Sequence, residues 1–516
     1  MTRPLQGLRA LLPTPHPILW LLSLNERMFS NIKGGIAITG GNFYNTTSQF
    51  SKDPREGQLS SHQSISRLTI PVIEDLFENY VVTSAMHDND EQVAAAECHP
   101  NTRVALLERL EIWATGLRGV YDGRSALWVH GSAGIGKTAI ARSLARLLET
   151  LGSPVASFFC FSTDSQRNTI KTMIPTIVYQ IALAIPATQP FIIDVVAKER
   201  KIFHRSARTQ LQRLIVNPLL QLLSTLENHD TFAPILILID GLDEINRDSM
   251  ERRELLDIIR SFLPSLKGRA KFFVTSRAEH DIETAFDHPD FTEHLSRLNL
   301  RRDLDSYRDI HTFLRDRFAK LRAGHRLKSQ LQAWPPEEAL RTILFRSSDH
   351  FIYATTVMKY IEADYADPRR RLDDILRLSS TSQNPYSDLD AVYHQVLTNV
   401  RSEYDVVQNV LRFTLASTAV ESNPGRIIRS TAFIESLLFV GEGYVSLALL
   451  DLQSLVELTT PDFHDGLVTV ELLHKSFADY LLDKARSGKF YIDVNLVWPY
   501  IVKQIHRFLS ELFENM

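Results

Sequence analysis

The side chains best suited to chemistry lie first in a glycine-rich loop. An apolar segment, Ala126–Val129, leads into the loop, and a helical pattern from Ala139 to Leu148 follows it. A phosphate-binding loop requires this strand–loop–helix order, which a chance match usually lacks. The loop residues are Gly131, Ser132, Ala133, Gly134, Ile135, Gly136, Lys137 and Thr138. The sequence therefore predicts that this segment binds phosphate groups.

The residue types of the loop predict how it would hold its ligand. Glycine backbones can approach a polyphosphate closely and turn N–H groups toward it, while the following helix directs the positive end of its dipole at the same anion. Lys137 would reach the outer phosphates, and the Thr138 hydroxyl would ligate Mg²⁺. An ordinary glycine turn would explain the glycines but not the complete pattern with its flanks. A nucleotide with Mg²⁺ is the expected ligand.

A second stretch supplies carboxylates. The continuous apolar run Pro234–Ile239 ends in Asp240, and Asp243 and Glu244 follow closely. Asp240 is expected to hold Mg²⁺ through its water shell, together with Thr138. Glu244 is the preferred general base for an attacking water, with Asp243 as the alternative or as a group that tunes it. A solvated or capping acidic cluster would explain one of these carboxylates more easily than all three.

A third polar group follows another apolar strand. The segment Lys271–Val274 ends in Thr275-Ser276-Arg277. If this strand lies beside the one that ends at Asp240, the Arg277 guanidinium can sense or stabilise the outer phosphate. A surface arginine that merely ends a strand is the alternative.

Composition limits the function classes. The 516-residue chain has a net charge of −4, so nothing in its overall charge favours nucleic acid or an anionic membrane. No apolar run approaches the roughly twenty residues that a membrane helix needs. The two cysteines, Cys98 and Cys160, lie far apart without metal-ligand spacing, which argues against a disulfide framework and fits a reducing, cytoplasmic location.

The order of patterns predicts the fold class and the domains. Strands alternate with helices after the loop, as in an α/β P-loop NTPase with three layers and a parallel sheet. A helical domain and then a winged-helix domain follow. The latter is predicted from two short helices, Thr431–Leu438 and Val445–Leu455, a hairpin and a closing helix. The helix before the loop is predicted over Asn101–Gly116 with Thr102 as its cap.

The expected segments are 1–27 as a disordered leader or mis-assigned start, with Met28 as the alternative start, 28–60 as a short β segment and linker, 61–100 as a helical linker, 101–300 as the NTPase domain, 301–420 as the helical domain, 421–490 as the winged-helix domain and 491–516 as a truncated helical tail.

Together these motifs resemble a known family. The stretches GSAGIGKT, ILILIDGLDE and FFVTSR are similar to those of NACHT-domain STAND P-loop NTPases, especially the fungal proteins with a nephrocystin-3-like N-terminal module, which are related to NOD-like receptors. The resemblance covers about residues 95 to 490. Supporting stretches are Cys98–Ala114, His350–Ile361, Leu389–Leu397 and Leu472–Asp483.

The resemblance implies a signal-transduction switch. Such proteins hold ADP in a closed form, open on exchange for ATP, self-associate and signal to an effector protein, which for this chain is unknown. It also implies that Arg103 lies near the adenine and ribose and that His474 contacts the nucleotide phosphates. Without the resemblance, a histidine that begins an apolar helix is more often a cap. The family's Gly-x-Pro adenine contact falls at 349–351, where this chain has neither Gly nor Pro, so that Phe351 is the candidate to pack on the base.

Other functions remain as alternatives. The chain has no Asn-Lys-x-Asp guanine reader and no ABC signature, which favours an adenine nucleotide. A winged-helix DNA-binding regulator with an attached ATPase should have a basic reading helix, yet the candidate segment Tyr444–Leu458 contains acids and no Lys or Arg. A scaffold that binds nucleotide without hydrolysing it is the third possibility, because motifs do not report rates.

Overall fold

The computed structural model describes residues 69–89, 97–116, 124–162, 164–225, 233–245, 249–266, 268–302, 305–348, 350–363, 367–378, 386–400, 404–417, 423–459 and 467–514. The chain divides into two compact units, Met1–Asp75 and Leu76–Met516. The first unit contributes only the beginning of one helix to the described residues, and the site lies entirely in the second. The predictions for 1–27 and 28–60 lie outside the described residues.

The first half of the described chain alternates helices and strands. In chain order these are α1 (Thr69–Phe77), α2 (Val104–Ala114), β1 (Ala126–His130), α3 (Lys137–Thr150), β2 (Val155–Phe159), α4 (Ile170–Ala184), α5 (Gln189–Lys198), α6 (Ala207–Leu211), α7 (Asn217–Thr225), β3 (Ile235–Asp240), α8 (Ser249–Leu266), β4 (Ala270–Ser276), α9 (His280–Phe286) and β5 (Leu295–Asn299). A π-helical segment joins α6 to α7. The predicted strands are confirmed, whereas β5 was not expected.

The five strands form one parallel sheet in the order β2-β3-β4-β1-β5. Every residue of the central strands β3 and β4 is buried, which explains their continuous apolar runs, because helices cover both faces of such a sheet. The expectation that the Arg277 strand lies beside the Asp240 strand is confirmed by the pairing of β3 with β4. The carboxyl ends of β1, β3 and β4 therefore meet at one edge, where open α/β sheets bind ligands.

Helix α3 holds the loop against this sheet. Its buried residues Ile140, Leu144 and Leu148 recur at spacing four and enter a core with Leu127 of β1 and Leu238 of β3. The preceding helix differs from its prediction. Helix α2 begins at Val104 after Arg103 in a left-handed conformation, and the Thr102 hydroxyl donates to the His99 carbonyl instead of capping the helix.

The described parts of the chain from 306 to 417 consist of α-helices joined by connections that are not α-helical. Its helices are α10 (Ser306–Gly324), α11 (Glu337–Ser347), α12 (Phe351–Ile361), α13 (Pro368–Arg377), α14 (Ser387–Thr398) and α15 (Tyr404–Ser417). Helix α12 packs against α10, α11 and α14. This packing fixes the beginning of α12, which faces the glycine-rich loop.

The last segment follows the predicted order of helix, helix, hairpin and helix. It contains α16 (Asn423–Ile428), α17 (Thr431–Leu438), α18 (Tyr444–Ala448), β6 (Val456–Thr459), β7 (Thr469–Leu472), α19 (Lys475–Leu482), α20 (Lys484–Ser487) and α21 (Val494–Glu514). Strands β6 and β7 are antiparallel. The helix expected from Val445 to Leu455 is wrong in length, because α18 ends at Ala448 and a short 3₁₀ turn follows. The division into separate domains stays a prediction.

No single helix among the described ranges has both the length and the apolar character needed to cross a membrane. Helices α4 and α5, with the turn between them, satisfy that criterion only as a pair bent by 113°.

Truncating a core residue should test the helix–sheet packing. Leu238 is fully buried in the core under α3, so Leu238→Ala should lower the free energy of unfolding by about 2–5 kcal/mol. Leu151 is 53% exposed, and Leu151→Ala should change it by no more than about 0.5 kcal/mol. Urea unfolding followed by circular dichroism gives both values. Equal effects of the two variants would contradict this packing.

Candidate functional site

The loop after β1 curves around its own lysine. Gly134 and Gly136 adopt φ values of 76° and 100°, which side-chain-bearing residues rarely reach. Lys137 Nζ donates to the carbonyl oxygens of Gly131 at 2.9 Å and Ser132 at 3.0 Å. Burial lowers the pKa of Lys137, while nearby carboxylates, Asp243 first, oppose that shift. The ammonium is thus held inside the loop, in a cleft that it shares with the acids at the end of β3.

Asp240 ends β3 in a fully buried position. Its carboxylate accepts a hydrogen bond from the Thr275 hydroxyl at 2.6 Å and another from Thr138. Burial raises the pKa of Asp240, and these two hydrogen bonds act against the increase. A carboxylate and a threonine hydroxyl in contact are oxygen donors of the kind that Mg²⁺ prefers, so this pair fits the ion. Within the described ranges, no group of three or more His, Cys, Asp or Glu residues could hold a metal ion by itself.

The two carboxylates after Asp240 have different surroundings. Asp243 accepts the backbone N–H of Arg277 at 3.0 Å, and its Oδ2 lies 3.3 Å from Arg277 Nε and 3.5 Å from Lys475 Nζ. Burial would raise the pKa of Asp243, but Lys475, Lys137 and Arg277 outweigh it and hold that pKa below its ordinary value. Asp243 is therefore a paired anion.

Glu244 has fewer charged partners. Its Oε2 accepts the backbone N–H of Ser162 at 3.0 Å, and burial raises its pKa despite the opposing charge of Lys475. The pKa of Glu244 is raised, and its Oε2 is bound by a backbone N–H and not by a cation. Its carboxylate is therefore better suited to accept a proton than that of Asp243. This difference favours Glu244 as the base.

Arg277 follows β4 and joins two parts of the chain. Besides Asp243, its guanidinium binds Asp479 of α19, with 2.9 Å between Nη2 and Oδ2. Burial would lower the pKa of Arg277, but the two carboxylates more than offset it. Arg277 is thus ion-paired, and whether it acts on phosphate or merely ends a strand stays a matter for the proposal below. Arg277 lies at the expected edge of the sheet and is bound to anions there.

His474 caps α19 and faces the same cleft. Its Nδ1 accepts the backbone N–H of Ser476 at 3.0 Å, and Ser476 Oγ is 2.6 Å from Nδ1 and 2.7 Å from the Tyr393 hydroxyl. Burial, together with the positive charges of Arg277 and Lys137, lowers the pKa of His474 to about 4. Since a neutral ring that accepts at Nδ1 carries its proton on Nε2, that nitrogen is the donor available to a phosphate oxygen. His474 thus caps α19 and also lies near Lys137 of the loop.

Arg103 lies on the other side of the loop. Its Nη2 is 3.4 Å from the Ile135 carbonyl oxygen, and its backbone N–H donates to Asp309 Oδ2 at 3.1 Å. The guanidinium stands 5.5 Å from the centre of the Phe351 ring, which also contacts Phe313. Phe351 therefore packs on Arg103 in this structure.

The beginning of α12 contacts the loop directly. His350 Nε2 lies 2.8 Å from Ser132 Oγ, and His350 Nδ1 lies 2.9 Å from the Ser348 carbonyl oxygen, so the Ser132 hydroxyl is the donor when the ring is neutral. The backbone N–H of Ile352 donates to the Gly134 carbonyl oxygen at 3.0 Å. A Cβ atom at Gly134 would overlap the Ile352 side chain. Ser132 and Gly134 are therefore fixed by the helical segment as well as by the sheet.

The sequence-predicted site residues converge. The glycine-rich loop, Thr138 and the residues at the ends of β3 and β4 lie at one edge of the sheet, with His474 beside them and Arg103 at the far side of the loop. Sequence reasoning missed His350, Lys475 and Asp479. Lys475 and Asp479 are four residues apart on α19 and so share a helix face, and both lie in the stretch Leu472–Asp483 that supports the resemblance; these two signals could have pointed to them. The two cysteines are free thiols, as expected.

Comparisons with known proteins agree with this geometry at the level of the NTPase module. The family model for the N-terminal part of nephrocystin 3 matches residues 108–277, which include the loop, Asp240, the acids and Arg277. A search of curated proteins gives no match. The chain therefore contains a P-loop NTPase domain on a parallel α/β sheet, and its specific type belongs to the proposal below.

Several solved structures match over long stretches but superpose loosely. A Walker-type ATPase of Pyrococcus abyssi has a TM-score of 0.35 and 14% identity, and the match covers 75% of this chain and 98% of that one. Cdc6p from Pyrobaculum aerophilum has values of 0.32 and 11%, with coverage of 82% and 99%. The Aeropyrum pernix Orc1 protein, solved in complex with DNA, has values of 0.31 and 17%, with coverage of 80% and 94%.

Alanine substitutions at Gly134 and Gly152 should distinguish the cost of a left-handed backbone from the cost of an overlap with Ile352. Gly134→Ala adds the cost of a left-handed alanine, about 1 kcal/mol, and an overlap with Ile352 of about 1–3 kcal/mol. Gly152 has φ 70° with open space around its Cβ position, so Gly152→Ala should show only the first cost. Thermal unfolding should rank the wild type above Gly152→Ala and Gly152→Ala above Gly134→Ala. Adding Ile352→Ala should recover part of the Gly134→Ala loss, and no recovery would contradict the contact.

Acid should loosen the packing around His474. Because the pKa of His474 falls to about 4 from the ordinary 6.5, the unfolded chain binds a proton between these values while the folded chain does not. This contribution to stability is complete above pH 6.5 and is lost as the pH falls toward 4. Asn can accept the Ser476 N–H but does not titrate, so His474→Asn should lose less stability over this range. Parallel urea titrations at several pH values give the difference, and identical pH slopes would show that His474 is not held neutral.

Proposed function

We propose that the chain is an ATP/ADP-binding switch of the NACHT/STAND type that hydrolyses ATP slowly and signals by self-association. The observation that carries the proposal is the convergence of Lys137, Asp240, Glu244, Arg277 and His474 on one cleft. The first four are what a phosphate-binding loop needs for binding, metal coordination, water activation and recognition of the outer phosphate. His474 lies at the beginning of α19, far along the chain. The site therefore depends on where α19 packs.

Each residue has a distinct task in this proposal. The loop N–H groups and Lys137 bind the phosphates, and Thr138 with Asp240 would hold Mg²⁺, which neutralises phosphate charge when it is bound. Glu244 accepts the proton of the attacking water. Arg103 lies on the side of the loop where the adenine and ribose are expected.

The resemblance to the NACHT family and the match to the nephrocystin 3 model support this type of switch over other NTPases. The alternative of a DNA-binding regulator has little support, because α18, the helix that would read bases, consists of Tyr444–Ala448 and contains no basic residue. A cytoplasmic location and an effector protein as partner are part of the same proposal. So is the division into an NTPase domain at 101–300, a helical domain at 301–420 and a winged-helix domain at 421–490.

Nucleotide analysis of the purified protein tests the proposal. Wild type should co-purify with ADP, and Lys137→Ala should lose it, because the lysine is expected to bind the outer phosphates. Lys198→Ala removes a lysine that is 71% exposed, and this control should retain ADP. Absence of bound nucleotide in wild type, with no binding of added ADP or ATP, would overturn the proposal.

A second variant tests turnover. Glu244→Gln should still bind nucleotide but should retain ATP and shift toward oligomers in light scattering, because the proton acceptor is gone. Unchanged hydrolysis would remove Glu244 as the base, and Asp243→Asn would then be tested in the same assay. Binding without measurable hydrolysis in wild type would instead favour the non-hydrolysing scaffold.

A further inference from the structure

We infer that Arg252 is a positioning residue for the outer-phosphate end of the site, because it fixes the segment that carries Arg277 against the turn that carries Asp243. Arg252 acts through these two residues and does not itself touch nucleotide. This role rests on the proposed function and concerns how one end of the same site is held in shape. Loss of Arg252 should therefore weaken binding and hydrolysis of ATP while ADP binding persists.

Arg252 lies in the first turn of α8, and only 6% of the residue is exposed. Its Nη1 donates to Glu279 Oε2 at 2.8 Å and to the Asp243 carbonyl oxygen at 3.4 Å. Its Nη2 lies 3.0 Å from Asp281 Oδ2. An arginine suits this place because its donors point in fixed directions from one plane. One buried guanidinium thus joins α8 to the turn after β3 and to the segment between β4 and α9.

Side chains join the ends of β3 and β4 beyond the point where their ladder stops. The parallel pairing of the two strands ends at Ile239 and Val274. Farther along, the Arg277 N–H donates to Asp243 Oδ1 at 3.0 Å. Arg252 adds a further link between the same two segments, and it does so from a third element. The relative position of the turn and the segment therefore depends on contacts that Arg252 shares in.

Removal of the guanidinium would leave two carboxylates without this cation. The Asp281 side chain is 13% exposed, so its charge would be poorly compensated by water. The Glu279 side chain is 40% exposed and could turn outward into solvent. Because Arg277 lies two residues before Glu279, this change would release the backbone that carries Arg277.

The effect should be confined to the outer phosphate. In the proposed site the loop N–H groups and Lys137 hold ADP, and the Lys137 ammonium is fixed by the carbonyl oxygens of Gly131 and Ser132. Arg277 is the residue proposed to meet the outer phosphate, and a displacement of about 1 Å can cost on the order of 100-fold in rate. If Arg252 only stabilised the packing of α8 on α9, its loss would change the affinities for ADP and ATP alike.

Calorimetric titration of the full-length protein, freed of co-purified nucleotide, tests this role with ADP and with adenylyl imidodiphosphate, a non-hydrolysable ATP analogue. Arg252→Gln should weaken binding of the analogue about tenfold, which corresponds to about 1.4 kcal/mol, and should change ADP affinity by less than about twofold. Arg252→Lys keeps the charge without the planar fork and should fall between Arg252→Gln and wild type. The next residue on α8, Arg253, is exposed, and Arg253→Gln is the matched control that should bind both ligands like wild type.

Two further measurements decide the case in which Arg252→Gln does not fold. Glu279→Gln weakens one contact from the half-exposed side and should shift the ratio of the two affinities in the same direction by a smaller factor. Hydrogen exchange of residues 275–281 without nucleotide should be faster in Glu279→Gln and Arg252→Lys than in wild type or Arg253→Gln, because the Arg277 N–H is held less firmly.

The outcomes separate the two claims. An affinity ratio and an exchange rate that match wild type in both Arg252→Lys and Glu279→Gln would overturn the role of Arg252 while leaving a nucleotide-binding protein. Equal losses of affinity for ADP and for the analogue would also overturn it. Wild type that binds neither ligand would overturn the proposed function. In that case faster exchange of 275–281 would still support Arg252 as the residue that fixes this segment, and unchanged exchange would overturn that as well.

Discussion

Balance of charge at the carboxyl edge of the sheet is the constraint on which the site depends. Asp240, Asp243 and Glu244 lie within five residues of one another; the first two are buried and Glu244 is half-buried, so their mutual repulsion must be offset. Three cations do this from three different segments: Lys137 from the loop, Arg277 from β4 and Lys475 from α19. Because Lys475 belongs to a helix far along the chain from the loop, the position of that helix and the electrostatics of the site cannot be set independently.

The central sheet and the chemistry of the loop could be predicted from the sequence because both depend on local patterns. A continuous apolar run identifies β3, the shorter run Phe272–Val274 indicates β4, and the glycine spacing before Lys137 is specific. β5 was missed because only its first two residues are fully buried, so it has no apolar run. The helix that ends at Ala448 was predicted too long since apolar residues continue beyond it, including Leu450, which is 38% exposed. When apolar residues continue past the end of a helix, the sequence pattern does not show where the helix ends.

The long-range contacts of the site could not be predicted in this way. His350 touches Ser132, and Asp479 touches Arg277, across separations that no spacing rule connects. Each of these side chains has an ordinary local explanation, as a polar residue before a helix or on its exposed face. Only the fold explains why these positions carry a histidine and an aspartate, because it brings the Ser132 hydroxyl to His350 and the Arg277 guanidinium to Asp479. The resemblance to a family pointed to His474 but gave no role to Lys475 and Asp479, the charged residues that follow it on α19.

The contrast between Asp243 and Glu244 links conformation to chemistry. Both sense Lys475, which lowers the pKa of each carboxylate. For Glu244 burial is the larger effect and raises the pKa, whereas Asp243 has Lys137 and Arg277 as further counter-charges that hold its pKa below the ordinary value. A carboxylate of higher pKa is the stronger base. Of the two carboxylates, Glu244 is therefore the better proton acceptor, and its basicity depends on where α19 places Lys475.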